Sequence, residues 1–141
     1  MSTSPPHIFG AASLTQLATC DPRLQRIANE AIKYGPDFSI VEGFRNQVMQ
    51  HRDYLTGKSK LDWPNGRHNH QPSLAYDFSP YPEDWSEGQL PHARFAMIAG
   101  VHFVVAAQLG IDIRWGADWN RNLDPRDETF LDWGHIELVI N

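Results

Sequence analysis

Residues 74–78, LAYDF, and residues 135–140, HIELVI, decide the fold that this sequence predicts. Both segments repeat with a period of two, which is typical of β-strands that bury one face. In the second segment the isoleucines and the leucine face the core, and His135 and Glu137 share the opposite face. In the first segment Asp77 likewise points away from the aromatic residues beside it. Ionisable side chains beside a core face indicate a functional site.

Helices and further strands flank these two segments. An aspartate-proline pair at 21–22 supplies an N-cap and a first-turn proline for a helix that the glycine-proline pair at 35–36 ends. Residues 38–41 and 111–115 read as strands, and a weaker helical pattern follows Arg45. This order of elements predicts an α+β domain.

The domain boundaries follow from composition. Residues 1–12 are rich in serine and proline and predict a flexible N-terminal arm, and residues 13–141 predict one domain. The most apolar stretch, residues 95–109, is interrupted by polar side chains and is shorter than the ~20 residues that a bilayer span requires. It predicts a buried core helix, and we expect a monomer without membrane insertion.

The charge balance and the single cysteine exclude several classes of protein. The chain has 141 residues, with 12 basic and 17 acidic residues and a net charge of -5. Because no predicted face carries a basic cluster, we expect no nucleic-acid partner. Cys20 has no second thiol with which to form a disulfide or a cysteine-based metal site. The N-terminus lacks a secretory signal, so we expect a protein made in the cytoplasm.

The ionisable residues of the two deciding segments suit a catalytic zinc ion. His70 precedes Asp77 by seven positions, and two histidines with one carboxylate form a usual ligand set for such a metal. With His135 they complete that set. Zinc leaves a position for water, and a nearby carboxylate must then take the proton of that water. Asp132, three residues before His135, is the candidate base, and Glu137 is the alternative.

Several motifs resemble a known family. The segments HNHQPSLAYDF and LDWGHIEL resemble the metal-binding pattern of the VanX/VanY-type DD-peptidases. The segments QLATCDPRLQRIANEAI, IVEGFRN, YDFSPY, RWGADWN and GHIELV resemble the single-domain phage endolysins that act as L-alanyl-D-glutamate peptidases. This resemblance implies that His70, Asp77 and His135 bind zinc, that Asp132 is the base, and that Arg45 steadies the substrate.

Two departures from the family pattern concern the first ligand. The family usually has serine two residues before this ligand, where this chain has His68, and a glycine that often follows is replaced around Ser73. If the strand begins early, His68 and His70 share one face. The register of the family favours His70, and His68 stays an alternative ligand.

The resemblance also implies a fold and an activity. The implied fold is an α+β domain with a small antiparallel sheet and helices packed on it, like Hedgehog and DD-peptidase domains. The implied activity is hydrolysis of an amide bond in peptidoglycan stem peptides, between L-Ala and D-Glu, after release of the protein from the host cytoplasm. The alternatives are a D,D-carboxypeptidase or dipeptidase on the same scaffold, or a non-catalytic zinc domain that binds the cell wall.

A second cation site is indicated by oxygen-bearing side chains at alternate positions, in the manner of an EF-hand calcium loop. The pattern departs from that loop at Leu123, where glycine is usual, and at Thr129, where glutamate is usual. A solvated acidic loop is the alternative. The candidate calcium ligands are Asp118, Asn120, Asn122, Asp124, Asp127 and Glu128.

Overall fold

The structure is a computed structural model that describes residues 4–140. It contains four α-helices, four β-strands and two short 3-10 helices, in the α+β arrangement predicted. The helices are α1 (Ala11–Leu17), α2 (Pro22–Tyr34), α3 (Gln47–Leu55) and α4 (Gln89–Leu109). The strands are β1 (Phe38–Glu42), β2 (Ala75–Pro80), β3 (Ile113–Trp115) and β4 (His135–Leu138). The 3-10 helices are Arg67–Asn69 and Pro125–Asp127.

The four strands form one antiparallel sheet in the order β1-β2-β4-β3. Asp77 of β2 lies directly opposite His135 of β4 and also pairs with Glu42 of β1. On the other edge, Arg114 of β3 lies opposite Glu137. Because directly paired residues project to the same side of a sheet, one face collects these charged side chains.

The opposite face of the sheet is the core face. The alternation predicted for β2 and β4 is confirmed, since Tyr76, Phe78 and Ile136 are fully buried. Helix α2 packs against α4, and its N-cap and end are those predicted, with the Asp21 side chain accepting the N–H of Arg23 at 2.9 Å. The apolar residues of α2 that the structure buries are Leu24, Ile27, Ala28, Ala31 and Ile32.

The N-terminal segment, for which an arm is predicted, contacts the rest of the domain. Met1–Thr3 lie outside the described residues, but His7 is buried and its N–H donates to the carbonyl oxygen of Ile32. The ring of Phe9 packs edge-on against Phe38 at 5.3 Å. Helix α1 then begins two residues before Ser13, whose hydroxyl accepts the N–H of Ile40 in β1. This segment therefore contacts α2 through His7 and the edge strand β1 through Phe9 and Ser13.

Helix α4 is longer than the predicted core helix. By length and composition it is the one helix in the described part of the chain that could cross a membrane. Such a helix is weak evidence for a span, because the core helix of a soluble protein passes the same test. Here Phe95, Ile98 and His102 are buried against the sheet, as a core helix requires.

His102 is a polar group in the centre of this core. Its Nδ1–H donates to the carbonyl oxygen of Ile98 at 2.8 Å, and its Nε2 accepts the hydroxyl of Tyr76 at 2.6 Å. Burial lowers the pKa of His102 to about 4, although the hydrogen bond to Ile98 opposes this shift. The imidazole is therefore neutral at pH 7, with both ring nitrogens satisfied.

This neutral histidine predicts a loss of stability in acid. The unfolded chain binds a proton at His102 below about pH 6.5, whereas the folded protein does so only near pH 4. The contribution of the neutral His102 to the free energy of unfolding is fully present above pH 6.5 and falls by about 3 kcal/mol as the pH drops to 4. Denaturant unfolding of the metal-free parent and of the metal-free His102→Gln variant, at a series of pH values, measures this contribution. The difference in unfolding free energy between them should shrink across this range, and a constant difference would contradict the assignment.

Candidate metal centre

Three side chains meet on the charged face of the sheet. His68 Nε2 lies 3.2 Å from Asp77 Oδ1 and 3.2 Å from His135 Nδ1, and His135 Nδ1 lies 3.3 Å from Asp77 Oδ1. Asp77 and His135 meet because they are direct partners across β2 and β4. His68 reaches them from the 3-10 helix that precedes β2. We call these three residues the metal cluster.

The metal cluster fits a zinc ion. Two imidazole nitrogens and one carboxylate oxygen are a usual donor set for catalytic zinc, and bonds of about 2.0–2.1 Å in a tetrahedron separate the donors by about 3.3 Å. The three donors have this spacing. Within residues 4–140, they form the only group of three or more His, Cys, Asp or Glu side chains with ligand atoms so close together.

The structure does not place His70, the predicted ligand, in the metal cluster. His70 is exposed, and the structure brings His68 to Asp77 instead. The prediction counted positions along an extended strand, but the N–H of Leu74 donates to the carbonyl oxygen of Arg67 and closes the intervening residues into a loop. Ser73 pairs with Cys20 at the base of this loop. His68, the alternative ligand, therefore stands at the inner end of the loop and His70 at its surface.

Outer hydrogen bonds orient both imidazoles. The Nδ1–H of His68 donates to the carbonyl oxygen of Gly43 at 2.7 Å, and the Nε2–H of His135 donates to Glu137 Oε1 at 2.9 Å. The remaining nitrogen of each ring thereby faces Asp77. Such partners fix the tautomer of a metal-binding histidine and raise its basicity.

Glu137 is held too firmly to be the general base. It is buried, and besides His135 it contacts Arg114 at 3.1 Å and Arg67 at 3.4 Å. Burial raises its pKa, but the hydrogen bond to His135 and the positive charges of His135, Arg114 and Arg67 together lower it. Glu137 therefore supports His135, and the alternative assignment of the base to Glu137 loses its basis.

The charges of the site favour a bound cation. Burial lowers the pKa of His135, but its hydrogen bonds to Asp77 and Glu137 outweigh burial and raise that pKa to about 10. Burial likewise raises the pKa of Asp77, but the charges of His68 and His135 hold it well below its usual range. Without a metal, the carboxylates thus draw a proton onto the ring, and a metal cation would supply the same positive charge.

Asp132 lies beside the metal cluster. Its Oδ2 is 4.0 Å from His135 Nδ1, and its side chain is 35% exposed. The surrounding protein desolvates this carboxyl and Asp77 repels its charge, so its pKa rises to about 6. The backbone of Gly116 anchors it, because the Asp132 N–H donates to the Gly116 carbonyl at 2.8 Å. A Cβ at Gly116 would lie 2.3 Å from the Asp132 carbonyl oxygen, which only glycine avoids.

Comparison with known proteins places this site in a family. The family model for phage L-alanyl-D-glutamate peptidases matches residues 6–139 of the chain. The chain belongs to this family. It is 36% identical over 138 residues to the L-alanyl-D-glutamate peptidase of Escherichia phage T5, covering 93% of the chain and 97% of the phage protein.

The fold of this family member is shared with a solved enzyme. The crystal structure of the Serratia marcescens L-Ala D-Glu endopeptidase ChiX matches with a TM-score of 0.73 and 26% sequence identity. The match covers 94% of this chain and 90% of ChiX. The α+β peptidase fold implied by the sequence resemblance is confirmed.

Arg45 of this peptidase is surrounded by protein groups. Its Nε donates to Glu42 at 2.6 Å, one terminal nitrogen donates to Gln50 at 3.0 Å, and the other lies 3.2 Å from Asp77 Oδ2. Asp53 also lies 3.2 Å from its Nε. Burial lowers the pKa of Arg45, but these carboxylates outweigh burial and raise it. Arg45 therefore binds Oδ2 of Asp77, the carboxylate oxygen that the two histidines of the metal cluster do not contact.

Gln50 is a site residue that the sequence did not reveal. It is fully buried on α3, and its amide oxygen accepts from Arg45 and from Asn69, the residue after His68. Its amide nitrogen donates to Ser59 Oγ and to the carbonyl oxygen of Leu61. A glutamine in a weakly amphipathic helix carries no sequence signal for such a role, because its four partners are distant in the chain.

Two clefts meet at Asp132. The Lys60 cleft, about 280 Å³, is lined by His68 and His135 of the metal cluster, and the Trp85 cleft, about 670 Å³, is lined by Asp77; Asp132 lines both. Trp119 lines the Lys60 cleft and packs against the ring of His135 at 5.4 Å. The Lys60 cleft is lined by Lys58, Lys60, Arg67, Trp119 and Phe130 above the two histidines. The charged residues that line the Trp85 cleft are Glu42, Asp53, Asp77 and Asp132 together with Arg45, Arg52 and Lys58, and its apolar lining includes Val41, Trp85 and Leu131.

The candidate calcium loop is partly arranged for a cation. The buried Asp118 carboxylate accepts the N–H groups of Asn122 and Leu123 at 3.2 and 3.0 Å. Leu123 has a φ of 65°, the left-handed conformation that an EF-hand gives to its glycine. The Asp127 carboxylate accepts from the side-chain amides of Asn120 and Asn122.

The remaining two candidate calcium ligands have other partners. The Asp124 side chain turns away to Arg126 at 2.8 Å, and Glu128 accepts the N–H of Asn120 at 3.3 Å. The carboxylate of Asp124 therefore does not face the space around Asp118.

Because His68, and not His70, lies beside Asp77, replacing each of the two histidines should affect zinc binding differently. His68→Ala should weaken zinc binding by more than about a hundredfold, because even loss of an outer hydrogen-bond partner costs about 10–100-fold. His70→Ala should bind zinc as the parent does. Zinc content after dialysis against a graded chelator, with circular dichroism to confirm folding, measures both. The reverse result would restore His70 as the ligand.

Proposed function

We propose that this protein is a zinc peptidase that hydrolyses the amide between L-Ala and D-Glu in peptidoglycan stem peptides. The observation that carries the proposal is the metal cluster with the Asp132 carboxylate 4.0 Å from His135. Two histidines, one carboxylate ligand and a separate carboxylate base are the parts that a hydrolytic zinc site needs. The phage T5 L-alanyl-D-glutamate peptidase and the Serratia L-Ala D-Glu endopeptidase, to which the chain is similar, support this substrate.

Each residue of the site then has a part in hydrolysis. His68, Asp77 and His135 would hold the zinc, which polarises a carbonyl and acidifies water when bound. Asp132 takes the proton of the attacking water and returns it to the leaving amine. Its pKa of about 6 suits both steps, since a carboxyl near neutrality can accept and release a proton.

Arg45 acts mainly through Asp77 in this proposal. The sequence resemblance implied that it steadies the substrate, but its nitrogens already contact Glu42, Gln50 and Asp77. It fixes the carboxylate of the ligand and keeps that carboxylate ionised. Because Arg45 also lines both clefts, its positive charge reaches a substrate oxygen there without leaving these partners.

The alternatives on the same scaffold differ in the bond they cleave. A D,D-carboxypeptidase or dipeptidase would use the same zinc site, whereas a non-catalytic wall-binding domain would need no base. The desolvated Asp132 beside the metal cluster favours an enzyme. The protein would reach the wall after release from the host cytoplasm.

Replacing the base should separate catalysis from metal binding. Asp132→Asn should keep its zinc and its fold but lose at least about a hundredfold in rate, since general base catalysis contributes about 10²–10⁴-fold. Asp112→Asn, an exposed carboxylate outside the clefts, is the matched control. The measurement is mass analysis of digested peptidoglycan. Products ending in L-Ala and beginning with D-Glu are expected, other termini would favour the alternatives, and full activity of Asp132→Asn would remove it as the base.

We also propose that the loop of residues 118–128 binds calcium. The orientation of the Asp118 carboxylate and the left-handed Leu123 support it, because both are features of an EF-hand loop. The side-chain oxygens that would bind are those of Asp118, Asn120, Asn122, Asp127 and Glu128. Asp124, at the seventh loop position, would contribute its backbone carbonyl.

Calcium should therefore stabilise the zinc-loaded protein. We expect calcium, but not an equal concentration of magnesium, to raise the melting temperature, because binding to the folded state alone stabilises it. Asp118→Asn should lose this response, and Asp124→Asn should keep it, since the Asp124 side chain points to Arg126. A parent protein whose melting temperature does not respond to calcium would dismiss the site.

A further inference from the structure

The Lys60 cleft carries positive charge that the metal centre does not explain. Arg45 and Arg67 also line it, but both are engaged, Arg45 with Asp77 and Arg67 with Glu137. Lys58 and Lys60 are exposed, and neither has a carboxylate within ion-pair distance among residues 4–140. Two uncompensated ammonium groups thus stand at the mouth of a cleft in a protein of net charge -5.

Lys60 is held over the cleft by its neighbours. Its ammonium lies 5.3 Å above the centre of the Phe130 ring, a cation–π contact that orients the side chain. The backbone on either side is fixed as well, because the buried Gln50 donates to Ser59 Oγ and to the carbonyl oxygen of Leu61. The position of this charge is therefore determined by the fold.

The two clefts differ in charge. Cationic side chains outnumber carboxylates in the Lys60 cleft, whereas carboxylates outnumber cations in the Trp85 cleft. Lys58 borders both clefts, but Lys60 and Arg67 line only the first. Because the clefts meet at Asp132, a peptide lying across the metal cluster passes from one electrostatic environment to the other.

The proposed substrate has a matching asymmetry. Glutamate has two carboxyl groups, and the peptide chain continues through only one of them, so the other is a free carboxylate. This carboxylate lies on the leaving side of the L-Ala–D-Glu amide. The alanine on the acyl side has an uncharged methyl group. A cationic cleft on the leaving side would therefore complement the substrate.

We infer that Lys60 binds the free carboxylate of the D-Glu residue and so determines which residue may follow the scissile amide. The Lys60 cleft receives the leaving side of the substrate, and the Trp85 cleft receives the side that carries L-Ala. This inference rests on the proposed function and adds the substrate's direction and its acidic specificity. Arg67 remains with Glu137 and contributes charge to the cleft without binding the substrate.

Two synthetic peptides test the role of Lys60. In both, D-Glu follows L-Ala and continues the chain through one carboxyl group; the other carboxyl is free in one peptide and an amide in the second. The zinc-loaded full chain should cleave the free acid with a kcat/KM about tenfold higher, mainly through a lower KM. Lys60→Met keeps the length of the side chain over Phe130 and should bring the ratio of the two kcat/KM values close to one.

Salt and a second lysine variant provide controls. The preference of the parent for the acid should fall as salt rises, because exposed charge pairs are screened. Lys33→Met removes an exposed lysine on α2 that pairs with Glu30 outside both clefts, and its ratio should equal that of the parent.

The outcomes distinguish this inference from the proposed function. Cleavage of neither peptide by the zinc-loaded parent would overturn the proposed function itself. Equal cleavage of both by the parent, or an unchanged ratio in Lys60→Met, would overturn the role of Lys60 and leave the function standing. A ratio kept in Lys60→Met but lost in Lys58→Met would move the carboxylate to Lys58 and also overturn it. If Lys60→Met lowers kcat/KM equally on both peptides, Lys60 has a structural role and the inference is overturned.

Discussion

The pairing of Asp77 with His135 across β2 and β4 is the constraint on which the site depends. In an antiparallel sheet, direct partners project to one side a few ångströms apart, so the register brings a carboxylate to an imidazole without any loop. A shift of β4 by one residue against β2 would turn the His135 side chain into the apolar core. The same register therefore builds the core on one face and the metal centre on the other, and Tyr76 and Ile136 secure it from beneath.

Charged side chains surround this pair and hold its two members in position. Glu137 orients His135, and Arg45 holds the outer oxygen of Asp77. Neither group needs to touch a substrate in order to matter, because outer partners set the tautomer, the direction and the basicity of the groups they hold. Asp132 is the exception, since it is anchored by its backbone while its carboxylate stays free of such partners at the meeting point of the clefts.

The sequence predicted those parts of the molecule that local periodicity determines. The alternation of β2 and β4, the capped helix α2 and the positions of Asp77 and His135 in the cluster follow from residues close in the chain. What it could not predict depends on contacts between distant segments. The structure brings His68 rather than His70 to Asp77 because Ser73 pairs with the distant Cys20 while Leu74 bonds back to Arg67. Gln50 gained its role from partners in three other segments.

The closed loop between Arg67 and Leu74 also bears on how such enzymes vary. Its two ends are fixed by a backbone hydrogen bond, while its tip, with His70, lies in solvent. Residues can be gained or lost at that tip without moving His68 or the start of β2, because the cost of closing a loop grows only slowly with its length. The number of residues between His68 and Asp77 is thus free to drift, and a search pattern with a fixed histidine-to-aspartate interval will select His70 instead of the histidine that lies beside Asp77 in this fold.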